Sequence, residues 1–318
     1  MRKNLNEIIA YLRDKKILLT SHRKPDIDSV VSLFVLKELL PNAVIALTSE
    51  KDESAKNLID YLGLEFEDLN KINLSDFDGL VVADTSSTTL VPIAKEAKIF
   101  LLIDHHQAEG RDIKADFEII DSQATATSEI IAILLEDAGM LDKISKKAIF
   151  ALCCGIVFDS ARFKSARAQT FKILSKLMEL AEESYEKIRE YAEPPRKRDE
   201  QLAILRGFQR LEIYEINGYV IATSNVGSNA SDTASFLAEV AHVSFVAEFK
   251  EKENETRLSA RAAHTFPLPL NEIAARAADK IGGKGGGHKK AAGLSVKNKK
   301  PSEVLKACLD VLKEVFSN

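Results

Sequence analysis

A carboxylate and two imidazoles directly follow an apolar run in the segment Ile99-Phe-Leu-Leu-Ile-Asp104-His105-His106. The run has the length and composition of a buried strand, so the polar side chains are expected at its C-terminal end. Open α/β sheets bind their ligands at that edge. Two adjacent imidazoles bury poorly unless each finds a partner. The segment therefore predicts a metal-binding or catalytic site.

Three other segments also end an apolar run with an acid or an imidazole. They are Ile17–His22, Leu80–Asp84 and Ile156–Asp159. The first continues to Asp26 and Asp28, and the intervening Pro25 stiffens the turn before the next helix. Two acids one residue apart repel each other unless a cation lies between them. We expect all four segments to converge on one site.

The candidate metal ligands in these segments combine oxygen and nitrogen donors. They are His22, Asp26, Asp28, Asp84, His105 and Asp159. A structural zinc takes four ligands and favours sulfur, so the set is too large for one such ion. The set suits two divalent cations that share one carboxylate, and it favours Mn²⁺ over Mg²⁺, which prefers oxygen ligands alone. For the aspartates after His22 and for Asp84, the structural alternative is helix capping.

Composition narrows the class of protein. The 318 residues are enough for two domains with separate cores. A net charge of -4 is too small for the whole molecule to act as a nucleic-acid binder, so any anion site must be a local patch. Cys153, Cys154 and Cys308 form no disulfide framework and are expected as buried thiols. The absence of a signal or membrane-spanning segment predicts a cytoplasmic protein without membrane contact.

Strand-like and helix-like segments alternate through the first half, which predicts an α/β fold with a mostly parallel sheet flanked by helices. Predicted strands cover residues 17–21, 43–48, 79–83 and 99–103, and predicted helices cover 4–14, 27–40, 55–62, 91–97, 128–138, 145–158 and 169–181. A charged stretch around Pro194-Pro195 predicts a linker. We divide the chain into a metal-binding domain at 1–184, a linker at 185–205 and a smaller α+β domain at 206–318.

The second domain carries features that favour anion binding. Asn217-Gly218 predicts a β-hairpin; further helices are expected at 233–241, 271–281 and 302–315, and strands at 243–249 and 257–262. Arg261 can form a forked contact with a phosphate. The glycine-rich loop that contains Gly286, Gly287 and His288 can bring backbone N–H groups close to a phosphate, with the imidazole as a further contact. Residues 276–300 hold eight basic side chains against one acid, which predicts a basic patch.

These motifs resemble those of the DHH phosphoesterases over nearly the whole chain. The resemblance rests on His22-x-x-Pro25-Asp26-x-Asp28, Asp84, Asp104-His105-His106, Asp159 and Gly285-Gly286-Gly287-His288-x-x-Ala291-Ala292-Gly293, the last of which is similar to the signature of the DHH-associated C-terminal domain. It implies one cation held by His22, Asp26 and Asp84, and a second held by Asp28, Asp84, His105 and Asp159. It further implies that His106 faces the substrate as a phosphate contact or proton donor, and that Asp104 orients the histidines.

The two-domain layout is most similar to the oligoribonucleases, or nanoRNases, that also hydrolyse 3′-phosphoadenosine 5′-phosphate. This resemblance implies a hydrolase in which two cations activate a bridging water to hydroxide and hold the phosphate. The implied substrates are short single-stranded RNA or DNA, linear dinucleotides and nucleotide phosphates. The preference between RNA and DNA stays open, as does the choice between monomer and homodimer.

Three alternatives remain. A RecJ-like single-strand exonuclease would act on longer DNA or RNA. A family II inorganic pyrophosphatase would share the metal-binding half, but the glycine-rich loop counts against it. A non-catalytic replication-associated or nucleotide-binding subunit would keep the fold, but such relatives tend to lose ligands, and this chain keeps all six.

Overall fold

The computed structural model of the protein describes residues 5–49, 53–107, 110–193 and 195–317. The chain forms two compact units, Met1–Pro195 and Arg196–Asn318. None of the described helices combines the length and the apolar character needed to cross a membrane.

The first unit is built on a six-stranded parallel sheet, which confirms the predicted α/β class. Its strands are β1 (Ile17–Thr20), β2 (Val44–Leu47), β3 (Glu67–Asp68), β4 (Gly79–Ala83), β5 (Ile99–Asp104) and β6 (Phe117–Ile120), in the order β3-β2-β1-β4-β5-β6. Its helices are α1 (Leu5–Leu12), α2 (Ile27–Leu39), α3 (Glu53–Leu62), α4 (Thr127–Asp137), α5 (Lys146–Asp159), α6 (Ala168–Ala181) and α7 (Tyr185–Ala192).

Both faces of this sheet are buried, which is why its central strands are almost continuously apolar. Alternate residues of one strand enter different clusters: Leu19 and Val81 pack into the larger core with the helices, whereas Leu18 and Val82 pack into a smaller core on the opposite face. The larger core also contains Cys153 and Cys154, whose thiols are free and buried as predicted. The sheet is therefore fixed from both sides, and its C-terminal edge has a rigid foundation.

The second unit combines a mixed six-stranded sheet with four helices, as predicted for an α+β domain. Its elements are α8 (Arg198–Gln209), β7 (Glu212–Ile216), β8 (Tyr219–Val226), α9 (Ala230–Leu237), β9 (Val243–Lys250), β10 (Glu255–Ala262), α10 (Leu270–Ile281), β11 (Lys284–Gly287), β12 (Ala291–Lys297) and α11 (Pro301–Ser317). The sheet order is β11-β12-β10-β9-β8-β7, and only β8 and β9 run parallel. Asn217 and Gly218 form the predicted hairpin turn with φ values of 51° and 78°.

The structure departs from the predicted elements in several places. The helix expected at 91–97 is a short 3₁₀ helix at Pro92–Lys95. Strands β3 and β6 lie outside the predicted strands; β3 has only two residues, and both carry charged side chains. The predicted linker is largely helical, since it contains α7 and the start of α8. The glycine-rich segment expected as a loop forms strand β11 instead.

Candidate metal centre

Neighbouring strands of the parallel sheet deliver the polar side chains to one edge. Asp84 directly follows β4, Asp104 ends β5 and is followed by the two histidines, and His22 lies two residues beyond β1. Helix α2 adds Asp26 at its N-cap and Asp28 in its first turn. The last ligand, Asp159, comes from the C-terminal end of α5. All six predicted metal ligands therefore lie in one cluster of elements.

The potential ligand atoms form overlapping groups in which all atoms lie within 4.8 Å of one another. These groups are His22, Asp26 and Asp84; Asp28, His105 and Asp159; and Asp84, His105 and His106. Asp84 connects the first two groups, because its Oδ2 lies 3.6 Å from His22 Nε2 and its Oδ1 lies 3.6 Å from His105 Nε2. The arrangement offers two adjacent ligand pockets with one carboxylate between them.

Two hydroxyl groups fix the carboxylate of Asp84. Ser29 Oγ donates to its Oδ2 at 2.5 Å, and Thr127 Oγ1 donates to its Oδ1 at 3.0 Å. The backbone of Asp84 has a φ of 65°, an unusual conformation for a non-glycine residue and one that is often found at functional sites. Burial alone would raise the pKa of this carboxyl, but the contacts with His22, His105 and Ser29 lower it overall. Asp84 is therefore held ionised and in a fixed orientation.

Asp28 is fully buried and caps a helix other than its own. Its carboxylate accepts hydrogen bonds from the backbone N–H groups of Thr127 at 2.7 Å and Ser128 at 2.9 Å, at the start of α4. Helix α4 has no side-chain cap at Ala126, so this acid supplies the cap. Burial and the neighbouring Asp84 still raise the pKa of Asp28 well above its usual value. Removing this acid from water would be less costly with a cation beside it.

The site needs a glycine on α5. A Cβ at Gly155 would lie 2.5 Å from Ser128 Oγ and 3.1 Å from Asp28 Oδ1. The absence of a side chain therefore lets α5 approach the metal ligands and the start of α4. A glycine inside an otherwise apolar helical segment was the only sequence signal of this role.

The surroundings of His105 show whether the residues of the site fit a metal ion. Its Nε2 lies 2.9 Å from Asp159 Oδ2, but the contact lacks hydrogen-bond geometry, and this buried nitrogen has no hydrogen-bond partner. Its Nδ1 lies 3.4 Å from the carbonyl oxygen of Ala124, which leaves Nε2 available as a ligand. Burial lowers the pKa of His105, but Asp159, Asp28 and Asp84 raise it to about 10 overall. An imidazole among carboxylates with an unused nitrogen fits a divalent cation.

The acidic charges around Asp26 and His22, on the other side of Asp84, also favour a bound cation. Burial and the charges of Asp84 and Asp159 raise the pKa of Asp26 to about 6. For His22, burial lowers the pKa, but Asp84 and Asp26 raise it overall. The site thus concentrates negative charge that these histidines compensate only in part.

His106 and Asp104 form a separate pair. The fully buried Asp104 lies with Oδ1 2.8 Å from His106 Nδ1 and also accepts the backbone N–H of His106 at 3.1 Å. The hydrogen bond that His106 donates to Asp104 raises the pKa of His106, and the imidazole remains 56% exposed. Although His106 Nδ1 is also 3.8 Å from Asp84, its bond to Asp104 leaves Nε2 as the nitrogen free for a substrate. Asp104 thus orients His106, while His105 is held elsewhere.

A buried ion pair stabilises the start of α4. Glu129 is fully buried and accepts hydrogen bonds from Thr125 N at 2.8 Å, Thr170 Oγ1 at 3.1 Å and Arg167 Nε at 2.9 Å. Because Thr127 and Ser128 in the same turn donate their backbone N–H groups to Asp28, this network helps to position a predicted ligand. Sequence reasoning missed Ser29, Thr127, Gly155 and Glu129, since their roles depend on contacts between distant segments.

The predicted substrate residues of the second unit lie around one end of its sheet. Arg261 pairs with Ala291 across β10 and β12, while Gly287 pairs with Ala292 across β11 and β12. The Arg261 guanidinium is partly buried and donates to Ser231 Oγ at 2.8 Å; burial lowers its pKa, although Asp232 opposes the shift. The space in front of Gly286 is open, whereas a side chain at Gly287 would collide with the backbone. His288 is exposed.

The predicted basic patch is smaller than its composition indicated. Glu314 pairs with Arg276 at 3.6 Å and with Lys280, and Glu303 pairs with Lys299 at 3.1 Å. Both acids lie on α11, outside the segment in which the basic residues were counted. Lys290 donates to backbone carbonyl groups. Several of these charges therefore contribute to structure within the second unit.

Family models match both parts of the chain: the N-terminal domain of the DHH family at residues 16–156 and the DHHA1 domain at residues 217–318. The chain belongs to the DHH family. Members of this family are metal-dependent phosphoesterases or hydrolases, so the protein is an enzyme of that class. The chain is also 28% identical to an uncharacterized protein of Methanocaldococcus jannaschii, over 98% of this chain and 97% of the relative.

Solved structures share the DHH fold with this chain. An exopolyphosphatase-related protein from Bacteroides fragilis has a TM-score of 0.78 at 16% identity, with 98% of each chain covered. CDC45 from Entamoeba histolytica has a TM-score of 0.53 at 8% identity, with 96% of this chain and 97% of that chain covered. At these identities the likeness concerns the fold alone, so the arrangement of side chains must carry the functional argument.

Proposed function

We propose that the protein is a two-metal phosphoesterase that hydrolyses the phosphodiester bonds of short single-stranded oligonucleotides and linear dinucleotides and the phosphomonoester bond of 3′-phosphoadenosine 5′-phosphate. The observation that carries the metal assignment is the placement of Asp84 between two groups of ligand atoms. His22, Asp26 and Asp84 would hold one cation, and Asp28, Asp84, His105 and Asp159 the other. The mixture of carboxylates and imidazoles favours Mn²⁺ over Mg²⁺.

When bound, the cations would supply positive charge to the phosphate and a nucleophilic water of lowered pKa. The protein prepares the site by holding Asp84 ionised through Ser29 and Thr127. His106 has a raised pKa and a free Nε2, so it can contact the phosphate or donate a proton to the departing sugar oxygen. Asp104 keeps the imidazole in the required orientation.

Phosphate recognition is assigned to Arg261, Gly286, Gly287 and His288 in the second unit. Arg261 donates hydrogen bonds to Ser231 Oγ and to the carbonyl oxygen of Ala260, and its guanidinium keeps further N–H donors for an anion. Open space at Gly286 permits close approach to the backbone. Because the assigned residues are an arginine, a histidine and two glycines, we expect the site to recognise phosphate and sugar groups more than a particular base.

The test is a substrate panel with the full chain and Mn²⁺: short RNA, short DNA, linear diadenylate, 3′-phosphoadenosine 5′-phosphate and pyrophosphate. A length series of 5′-labelled RNA accompanies it. We expect kcat/KM to be highest for the shortest oligonucleotides and negligible for pyrophosphate. Fastest loss of the longest strands would overturn this substrate assignment in favour of an exonuclease. Metal binding without hydrolysis of any phosphodiester would overturn the catalytic assignment.

A further inference from the structure

A cavity of about 570 Å³ lies against helix α8 in the second unit. Arg198, Arg206 and Arg210 line it, together with Gly227 and Ser228 from the segment after β8. Small-molecule sites commonly have volumes of roughly 300–1,000 Å³. The cavity is thus large enough for a nucleotide or for part of an oligonucleotide.

Few protein groups pair with the positive charges of the arginines in this cavity. Among the residues that the structure describes, Arg198 and Arg206 have no hydrogen bond or ion pair. Arg210 makes one long hydrogen bond, from Nη1 to the carbonyl oxygen of Asn225 at 3.4 Å. The single acid in the wall, Asp199, leaves an excess of positive charge. Guanidinium groups with unused donors that share a concave surface favour an anionic ligand.

A neighbouring arginine shows the contrasting arrangement. Arg196 has its guanidinium 4.8 Å from the centre of the Phe236 ring and 3.6 Å from Asp232 Oδ2. These contacts give Arg196 a role in packing the second unit. Arg198 and Arg206 have no equivalent contacts, so packing does not account for them.

The spacing of the arginines favours an extended ligand. Arg198 and Arg206 are eight residues apart on α8, which corresponds to about 12 Å along a helix at ~1.5 Å per residue. Arg210 is the C-cap of the same helix and lies roughly one turn further on. One phosphate group could not contact all three guanidiniums. A ligand with several phosphate groups could, and the space in front of Gly227, which also lines the cavity, is open.

We propose that this cavity is a second anion site, which binds successive phosphate groups of a single-stranded oligonucleotide or of a small polyphosphate. It is distinct from the phosphate contacts assigned to Arg261 and His288, since neither residue lines the cavity. The site would increase affinity for a phosphate chain without taking part in hydrolysis. Its existence does not depend on the proposed reaction.

The test measures binding of 5′-fluorescein-labelled pentathymidylate to the full chain by fluorescence anisotropy, in EDTA so that no hydrolysis occurs. The variant R198Q/R206Q/R210Q is compared with R13Q/K172Q/K313Q, which removes the same charge from exposed positions elsewhere. We expect the cavity variant to bind at least ~10-fold more weakly than the control. Its slope of log K against log salt should be smaller by about 2, since each neutralised phosphate of a single strand contributes ~0.7.

Equal affinities and equal salt slopes for the two triple variants would overturn the proposal. If circular dichroism shows that the cavity variant is misfolded, the single variant R206Q is used, with an expected fall in slope of about 0.7; an unchanged slope would again overturn the proposal. Competition by inorganic tripolyphosphate identifies the ligand source. If tripolyphosphate displaces the probe from the wild type, the result supports a free polyphosphate as ligand. If tripolyphosphate does not displace the probe and the cavity variant binds the probe more weakly as expected, the result supports an oligonucleotide strand. Because these measurements need no turnover, they are independent of the proposed hydrolytic function.

Discussion

The candidate metal centre of the first unit and the end of the second unit's sheet that carries the proposed phosphate contacts are organised in opposite ways. Asp28 and Asp84 are buried, and each accepts two hydrogen bonds from protein groups. Arg261 is only partly buried, His288 is exposed, and Gly286 faces open space. If the proposed roles hold, the protein fixes the groups needed for chemistry in advance and leaves the groups that bind substrate adaptable.

The largest effect is expected when the shared carboxylate is lost. D84N keeps the side-chain shape but removes the charge between the two ligand groups, so kcat/KM should fall by roughly 10³-fold or more. Steady-state kinetics with saturating Mn²⁺ measures the change. The matched control is D78N, because Asp78 directly precedes β4 and its carboxylate accepts the backbone N–H of Lys16, away from the ligand cluster. Retention of more than a few per cent of activity by D84N would contradict the shared role of Asp84.

The second unit should instead affect binding. R261M removes a charged donor to phosphate, and we expect KM to rise about 30-fold with a much smaller change in kcat, since a hydrogen bond from a charged group contributes roughly 2 kcal/mol. R257M is the control on the same strand, because Arg257 is already paired with Glu253 and Glu255. A fall in kcat at unchanged KM would show that Arg261 belongs to the chemical step and would remove the contrast between the two regions.

A pair of glycine substitutions separates stability from metal binding. In G155A the new methyl group would collide with Ser128 and crowd Asp28, so we expect a loss of about 2 kcal/mol of stability and a roughly tenfold loss of Mn²⁺ affinity. In G207A the methyl group would lie 2.8 Å from Thr233 and Val226 in the second unit. That variant should lose comparable stability and keep its metal affinity. Denaturation and calorimetric titration of both variants test the difference.

The affinity for the metal should also depend on pH. His105 has a pKa raised to about 10, so its imidazole is protonated at pH 7 in the metal-free protein and must lose that proton to bind a metal. Mn²⁺ affinity should therefore increase with pH between 6 and 8, by about tenfold per unit for each proton released. Below the Asp26 pKa of about 6, protonation of that carboxylate should weaken binding further.

Calorimetric titrations in two buffers with different ionisation enthalpies count the released protons. H242Q serves as the control, because His242 accepts the backbone N–H of Val220 at 3.0 Å, outside the proposed metal centre. We expect this variant to release the same number of protons as the wild type. No proton release by the wild type at pH 7 would contradict the assignment of His105 as a metal ligand.

The sequence predicted the parts of the fold that follow local rules. The apolar runs of β1, β4 and β5 and the Asn217-Gly218 turn carry clear periodic or conformational signals. The two-residue strand β3 carries no such signal, because its charged residues do not form an alternating or apolar pattern. Its position in the sheet depends on pairing with β2.

The sequence predicted which residues of the candidate site are ligands, but it did not predict the groups that hold those ligands in place. Thr127 donates its backbone N–H to Asp28 across 99 positions of sequence, so no local pattern reveals the contact. The charge count around residues 276–300 likewise omitted Glu303 and Glu314, which pair with it in the folded unit. Neutralisation by distant partners must be known before a basic segment can be taken as a binding surface.

The cap that Asp28 provides for α4 has an evolutionary consequence. A descendant released from selection for catalysis could replace Asp159 with few structural penalties, since the described contacts of that carboxylate lie within the ligand cluster. Loss of Asp28 would also leave two backbone N–H groups of a buried helix start without acceptors. An aspartate kept at position 28 in a diverged lineage is consequently weak evidence that hydrolysis is retained. An acid kept at position 159 is stronger evidence.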